Sequence, residues 1–211
     1  VWLSAGMMLH SLMDYTNTYG ITLWAPFSMK RKCLEWVFFI DAVVLALTLL
    51  MLAAVYAAGA PRFAAWCIYA ATLAAYWTGK YLLRRRAAQH QPAGTCALLP
   101  AAFPPWRLLG IRRNGSRVTA FRMNALTLAV QDESKSSIHD ASYAERISKL
   151  KSYRIMKTLT PCYHITQADE TNEGIALRCE DLRTRNFGGR FGRLDCLIDH
   201  DGSTREIKFY V

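Results

Sequence analysis

The hydrophobic pattern divides the chain into an apolar part and a polar part. Val1 to Leu9 carry no charge, and His10 and Asp14 follow. The run "EWVFFIDAVVLALTLLMLAAVYAAGA", Glu35 to Ala60, has one internal charge, Asp41. "FAAWCIYAATLAAYWTGKYLL", Phe63 to Leu83, has only Lys80. At 1.5 Å per residue each is long enough to cross roughly 30 Å of hydrocarbon. The pattern therefore predicts two full transmembrane helices. Val1 to Met13 is too short to span alone and reads as the remainder of a longer helix or a re-entrant segment. Trp36, Trp66, Tyr76, Trp77 and Tyr81 lie towards the ends of the runs, as interfacial anchors do. A buried helical hairpin is the alternative, but two apolar segments joined by "GAPR" leave little amphipathic face.

Beyond Arg86 the pattern changes. "AAQHQPAGTCALLPAAFPP", residues 87–105, is an Ala- and Pro-rich linker. Three hairpins are expected after it, turning at Asn114–Gly115, near Asn172–Gly174 and at Asp201–Gly202, each with partly alternating flanks. Between the first two, "IHDASYAERISKLKSYRIM" has helical spacing, with Ile147, Leu150 and Ile155 near one face. The expected fold is thus an α-helical membrane domain over 1–86, with two full transmembrane helices plus a partial one. A small α+β domain over 106–211 follows, with a mainly antiparallel sheet of about six strands and one helix.

Composition sharpens this division. The chain has 211 residues, 52% of them hydrophobic, and a net charge of +10. Its mean hydropathy is +0.06, high for a soluble protein. Residues 1–83 hold five basic and three acidic residues, so most of the charge belongs to the second half. "KRK" at 30–32 and "RRR" at 84–86 flank the two predicted spans, and the turn between holds only Arg62. The positive-inside rule then places both clusters, and the 106–211 domain, on the cytoplasmic side of the membrane. Cys33, Cys67, Cys96, Cys162, Cys179 and Cys196 form no CxxC pair, and free thiols in a reducing compartment are expected. No basic n-region precedes the first apolar run, so it is not read as a signal peptide. With no initiator Met, the natural N-terminus is expected to be missing.

The candidate chemistry lies in the first half. His10 and Asp14 are spaced i, i+4 and share one helix face. Asp41 lies nine residues beyond Lys32, roughly 10 Å deeper than the basic anchor. Three potential ligands on neighbouring helices are therefore expected at a similar shallow depth. An ionisable group within a membrane segment is a functional-site hypothesis by default. Taken singly, His10 could be a hydrogen-bonded helix-end residue, Asp14 a loop cap, and Asp41 a partner of Lys80. Together they suggest a divalent metal site, best suited to Zn²⁺ with Mn²⁺ or Fe²⁺ open, and a position left for activated water.

These residues also carry a resemblance. "HSLMDYTNTYGITLWAPFSMKRKCLEWVFFID" resembles the central signature of the YdjM-like inner-membrane proteins, a family of membrane-bound metal-dependent hydrolases linked to binding a DNA-damage repressor. The matching landmarks are His10, Asp14, "NTYGI" at 17–21, "PFS" at 26–28, Arg31, Lys32, Glu35–Trp36 and Ile40–Asp41. Ile21, Glu35 and Ala42 stand where the family has Thr, Asp and Pro. The family's upstream His-Arg-x-x-Thr-His-Ser motif has no match in Val1 to Leu9, so the resemblance implies only part of a site. A weaker likeness extends to "PAAFPPWRLLGIRRNGSRVTAFRMN", "DLR" and "DHDG".

Two functional classes follow. One is a membrane-bound hydrolase acting on a lipid or phosphoester at the cytoplasmic leaflet. His10, Asp14 and Asp41 would hold metal, and Glu35 would handle protons. Tyr19, Lys30, Arg31 and Lys32, on an aromatic–basic loop with Trp24 and Phe27, would position an anion. The other is a non-catalytic membrane protein whose cytoplasmic domain recruits a protein, for example a DNA-damage repressor, or nucleic acid. "DLRTRNFGGRFGR", with Arg183, Arg185, Arg190 and Arg193 among Phe187 and Phe191, is the feature that suggests nucleic acid. A solvated sheet edge accounts for it as well, and nucleic acid is not the expected partner. His90, His139, His164 and His200 show no ligand spacing, and "DHDG" reads as a turn because the other EF-hand ligands are missing.

Overall fold

The computed structural model describes residues 2–28, 30–38, 41–115, 117–138, 141–160, 162–186 and 192–210. Ile40, His139, Phe187, Arg190 and Phe191, which the sequence singled out, lie outside the described residues. The chain divides into two compact units. The first takes in residues 1–90, 99–108 and 124–129, and the second 91–98, 109–123 and 130–211.

The first unit contains α1 (Trp2–Thr16), α2 (Ala42–Tyr56) and α3 (Arg62–Gln89). Among the described residues, no helix is long and apolar enough to cross a membrane. This overturns the expectation of two full transmembrane helices and a partial one, and the reason differs for each run. In the first, Asp41 has an extended backbone, and its carboxylate accepts the Val43 and Val44 N–H groups at 3.0 and 3.3 Å. That cap starts the helix at Ala42, and the described residues 33–38 before it are not helical. The helix ends at Tyr56 after 15 residues. Fifteen residues rise roughly 22 Å, short of the roughly 30 Å of hydrocarbon. The second run is long enough, since α3 has 28 residues. Its hydropathy is diluted by Thr72, Tyr76, Thr78, Lys80 and Arg84 to Arg86.

The apolar character of α2 and α3 instead serves a hairpin. Tyr69, Leu73, Tyr76 and Lys80 recur every three or four residues along one stripe of α3. Leu73 and Lys80 are buried. The Tyr69 hydroxyl meets Thr48 Oγ1 of α2 at 2.7 Å. The outer faces remain uncovered: Leu45, Leu49, Leu50, Phe63, Trp66 and Ile68 are all exposed.

After α3 come β1 (Thr95–Pro100), β2 (Arg107–Asn114), β3 (Arg117–Asn124), β4 (Val130–Ile138), α4 (Ala141–Ile147), α5 (Lys151–Leu159), β5 (Tyr163–Thr171), β6 (Gly174–Asp181), β7 (Leu194–Asp199) and β8 (Thr204–Phe209). The strands follow one another across the sheet in chain order. Among the described residues β4 meets β5 at the pair Ile138↔Ile165, between two four-stranded halves, β1–β4 and β5–β8. Each pairing from β3 to β8 is antiparallel. All three expected hairpins form, but among the described residues the strands number eight rather than about six. The extra ones are β1, which falls in the Pro-rich stretch, and β4, whose "VQDESKSSI" shows no alternating pattern.

The core of the second unit follows period-two burial. Leu177 and Cys179 of β6 pair with Cys196 and Leu194 of β7, and all four are buried. Tyr153 and Met156 of α5 and Ile147 of α4 pack on this face. The single helix expected here is two. The chain is extended at Leu150, between α4 and α5. That break rotates the second helix, so Tyr153 and Met156 face inward while Ile155 is exposed. None of the six cysteines is in a disulfide bond.

Candidate functional site

The signature stretch builds a compact scaffold at the end of α1. Thr16 Oγ1 donates to the Met13 carbonyl at 2.7 Å. Asn17 Oδ1 then accepts the Tyr19 and Gly20 N–H groups at 2.7 and 2.9 Å, which turns the chain. Gly20 has φ +65°, and a Cβ there would overlap the Lys32 carbonyl, so only glycine fits. Ile21 and Lys32 exchange backbone hydrogen bonds of 3.0 and 2.9 Å across the neck of the loop. The returning chain donates Leu34 N–H to Tyr15 O and Trp36 N–H to Thr16 O.

From there the chain docks on α3. Glu35 Oε2 accepts from Arg84 at 2.6 Å. The Trp36 and Tyr81 rings lie 5.3 Å apart. Asp41 receives the Tyr76 hydroxyl, 2.9 Å from both carboxylate oxygens, and Lys80 Nζ lies 3.6 Å from Oδ2. Lys80 also donates to the Ala101 carbonyl at 3.4 Å. The Asp41 and Lys80 side chains are 3% and 2% exposed. Burial pulls the Lys80 ammonium below its ordinary value, against the opposing pull of Asp41. Burial first, and then the neighbouring carboxylate, raises the Tyr76 phenol, so it stays a donor. Much of the ordered polar signature thus has a structural use: it clamps the segment before α2 to α3.

His10, Asp14 and Asp41 do converge, on the wall of one cavity of about 370 Å³. Met13, Val37, Phe38, Val44, Leu45 and Trp77 supply most of the apolar lining. His10 Nε2 lies 3.4 Å from Asp14 Oδ2, while Asp14 Oδ1 accepts from Asn17 Nδ2 at 3.2 Å. The turn residue Asn17 therefore orients Asp14, and Asp14 faces the imidazole. His10 is 78% exposed and Asp14 40%. Glu35 is not among the cavity-lining residues, and its carboxylate is held by Arg84.

The expected three-ligand metal set is not assembled by these side chains. Among the described residues, no group of three or more His, Cys, Asp or Glu is placed to hold a metal ion. His10 and Asp14 form a pair, but the Asp41 oxygens are taken by two backbone N–H groups, Tyr76 and Lys80. As arranged, the three do not fit a shared Zn²⁺, Mn²⁺ or Fe²⁺.

The expected anion-positioning residues lie apart from the cavity wall. Arg31 Nη1 donates to the Tyr19 and Gly20 carbonyls at 3.4 and 3.3 Å, which ties the loop to itself. Lys30 and Lys32 are exposed, as are Trp24 and Phe27 on the same loop.

Tyr76 and Trp77, which the sequence pattern suggests as interfacial anchors, belong to the site. Tyr76 holds Asp41, and Trp77 lines the cavity. The signal for Tyr76 was its position seven residues after Tyr69 and four before Lys80, on the stripe that faces α2. Trp77 carried no such signal. In the second unit, Arg183 makes a buried ion pair with Asp181 at 2.7 Å. Arg193 pairs with Asp195 at 2.8 Å. Burial opposes the ionisation of Asp195, but hydrogen bonds from Arg193 and Arg178 hold its carboxyl below the ordinary range.

Residues 1–83 match the family model described as YdjM inner membrane protein. No curated protein and no solved structure matches the chain.

Proposed function

We propose, from the similarity of residues 1–83 to inner membrane proteins, that the first unit is a membrane-associated hydrolytic module acting on an ester or phosphoester of an amphiphilic molecule. The observation that carries this reading is the His10–Asp14 pair on the wall of a largely apolar cavity. Asp14 orients the ring of His10, which acts as general base. His10 takes a proton from water as the water oxygen attacks the ester carbon or phosphorus. The bond to the leaving oxygen then breaks, and His10 returns the proton to it. Asp41, Tyr76 and Lys80 hold the cavity wall in place and take no proton.

The membrane contact in this reading is interfacial. Trp24, Phe27, Leu45, Leu49, Phe63 and Trp66 are exposed apolar groups suited to the headgroup boundary. Exposed Lys30 and Lys32, on the same loop as Trp24 and Phe27, favour an anionic leaflet, which supports reading the module as bound to the cytoplasmic face.

The test is hydrolysis of p-nitrophenyl laurate and bis-p-nitrophenyl phosphate by the full chain in mild detergent, with and without chelator. Turnover of at least one substrate, lost in His10→Ala and indifferent to chelator, is expected. Equal rates for the wild type and His10→Ala would contradict the proposal. Stoichiometric tightly held zinc that is required for turnover would contradict the metal-free step.

A further inference from the structure

α1 stands between two concave surfaces. His10, Met13 and Asp14 border the hydrolytic cavity. Met7, Met8, Ser11, Leu12 and Tyr15 recur along a separate stripe of the same helix. With Ile21 and Leu23 of the loop that follows, this stripe lines an open groove of about 740 Å³. That volume falls within the span of small-molecule sites, about 300–1,000 Å³. Met7, Met8, Leu12 and Leu23 are all exposed, so the groove is an apolar trough with nothing in it. An apolar patch that is contiguous and rimmed by polar groups marks an interaction site.

The pairing at the neck of the loop brings positive charge to this groove. Ile21 and Lys32 lie directly opposite each other in an antiparallel bridge. Opposed residues of such a pair carry their side chains on one face. Ile21 lines the groove, so Lys32 rises on the groove side of the loop. Lys30 is two residues away, and both lysines are exposed. Neither makes an ion pair among the described residues. Arg31 between them is instead spent on the Tyr19 and Gly20 carbonyls. Among the described residues no aspartate or glutamate lines the groove. A trough for hydrocarbon beside uncommitted positive charge is complementary to an anionic amphiphile. A second copy docked face to face here would bring two sets of basic residues together.

Resting on the membrane-associated reading of this unit and not on its hydrolytic step, we propose that the α1 groove seats one acyl chain of an anionic phospholipid of the bilayer. The lipid phosphate lies at Lys32 and Lys30. Ser11 and Tyr15 are the hydroxyl groups on the stripe available to the ester oxygens of the lipid. The basic loop, which lies apart from the hydrolytic cavity, thereby has a ligand of its own.

The experiment is photo-crosslinking of the full chain in mixed micelles of mild detergent and lipid. The probe is phosphatidylglycerol with a diazirine in one acyl chain, and phosphatidylcholine with the same chain is run in parallel. Adducts are mapped by mass spectrometry of peptides. The expected result is adducts on Met7, Met8, Leu12 or Leu23, with a yield for phosphatidylglycerol at least about five-fold above phosphatidylcholine. That ratio is the contribution of about one basic residue at an anionic surface. Lys32→Glu should bring the phosphatidylglycerol yield down to about the phosphatidylcholine level. Met8→Asp, at an exposed position, should remove groove adducts with both lipids, and His10→Ala should leave the pattern unchanged. Adducts spread evenly over exposed Leu49, Leu50, Phe63 and Trp66, or equal yields for the two lipids, overturn the proposal. A dimer whose groove is closed to both lipids overturns it in favour of a second copy. If Met8→Asp does not fold, by tryptophan fluorescence, the two-lipid comparison and Lys32→Glu still decide. Flotation on phosphatidylglycerol vesicles separates this proposal from the reading it rests on. Groove adducts without flotation sink the membrane contact and leave the lipid site. Flotation without groove adducts sinks the lipid site and leaves the membrane contact.

Discussion

The buried Asp41–Lys80 pair allows the sharpest stability prediction. Both side chains are almost completely removed from water, at 3% and 2% exposure. Removing one partner of such a pair leaves an uncompensated buried charge and costs about 3–5 kcal/mol. The two single variants should differ within that range. In Lys80→Met, the carboxylate keeps the Val43 and Val44 N–H groups and the Tyr76 hydroxyl, so the cost falls at the lower end, about 3 kcal/mol. Asp41→Ala loses the helix cap, worth about 1 kcal/mol. It also leaves the Tyr76 hydroxyl and Lys80 without their acceptor, which puts the total near about 4 kcal/mol. Asp41→Asn with Lys80→Met keeps a capping oxygen and removes both charges, and should lie within about 1 kcal/mol of wild type. The assay is denaturant unfolding followed by tryptophan fluorescence. All six tryptophans, at positions 2, 24, 36, 66, 77 and 106, fall in the first unit, so the signal reports that unit alone. Single variants that each cost under about 1 kcal/mol and add up in the double variant would show that the pair is not the clamp described.

Other outcomes follow from the same geometry. Gly110→Ala should destabilise the second unit by about 1–3 kcal/mol, because a Cβ at that position overlaps the ring of Phe121; far-UV dichroism during urea unfolding checks it. Burial, with the nearby Cys179 and Cys196 thiols, pushes the Tyr153 phenol up to about 12, above its ordinary 10.0. Between those values the folded state holds a proton that the unfolded state has lost, so stability falls as pH rises. On that basis the second unit loses about 2–3 kcal/mol by pH 12, and a Tyr153→Phe variant should lose less; tyrosinate absorbance with parallel dichroism reads it. Lys30→Glu with Lys32→Glu should weaken binding to anionic vesicles by at least about ten-fold, from roughly 1 kcal/mol per lost basic residue, and leave neutral vesicles little affected in a flotation assay.

The sequence carried some of this structure openly and hid the rest. The hairpin turns at Asn114–Gly115, Asn172–Gly174 and Asp201–Gly202 were legible because turn chemistry is local. β4 was not, since "VQDESKSSI" has no alternation and is held by pairing with β3. The membrane spans were misread for a definable reason. Hydropathy counts Glu35 to Ala60 as one run, but Asp41 is an N-cap, and a cap restarts the helix wherever its carboxylate meets the backbone. The facing of His10 and Asp14 was legible from helical spacing, whereas Asp41 was added by a membrane-depth argument whose helix the structure does not form. What Asp41 does there was not legible, because its partners Tyr76 and Lys80 lie 35 and 39 residues away on a stripe that reads as ordinary apolar helix. Trp77 was least legible: nothing in "AAYWTGK" shows which side of the helix will border a cavity.

The most direct measurement is laurate release from 1-monolauroylglycerol by the purified full chain and by His10→Ala, with matched tryptophan fluorescence as the check on folding. The account predicts steady release by the wild type and release at the buffer rate from His10→Ala. Equal release from both, or none from the wild type while the ester demonstrably occupies the cavity, would contradict it.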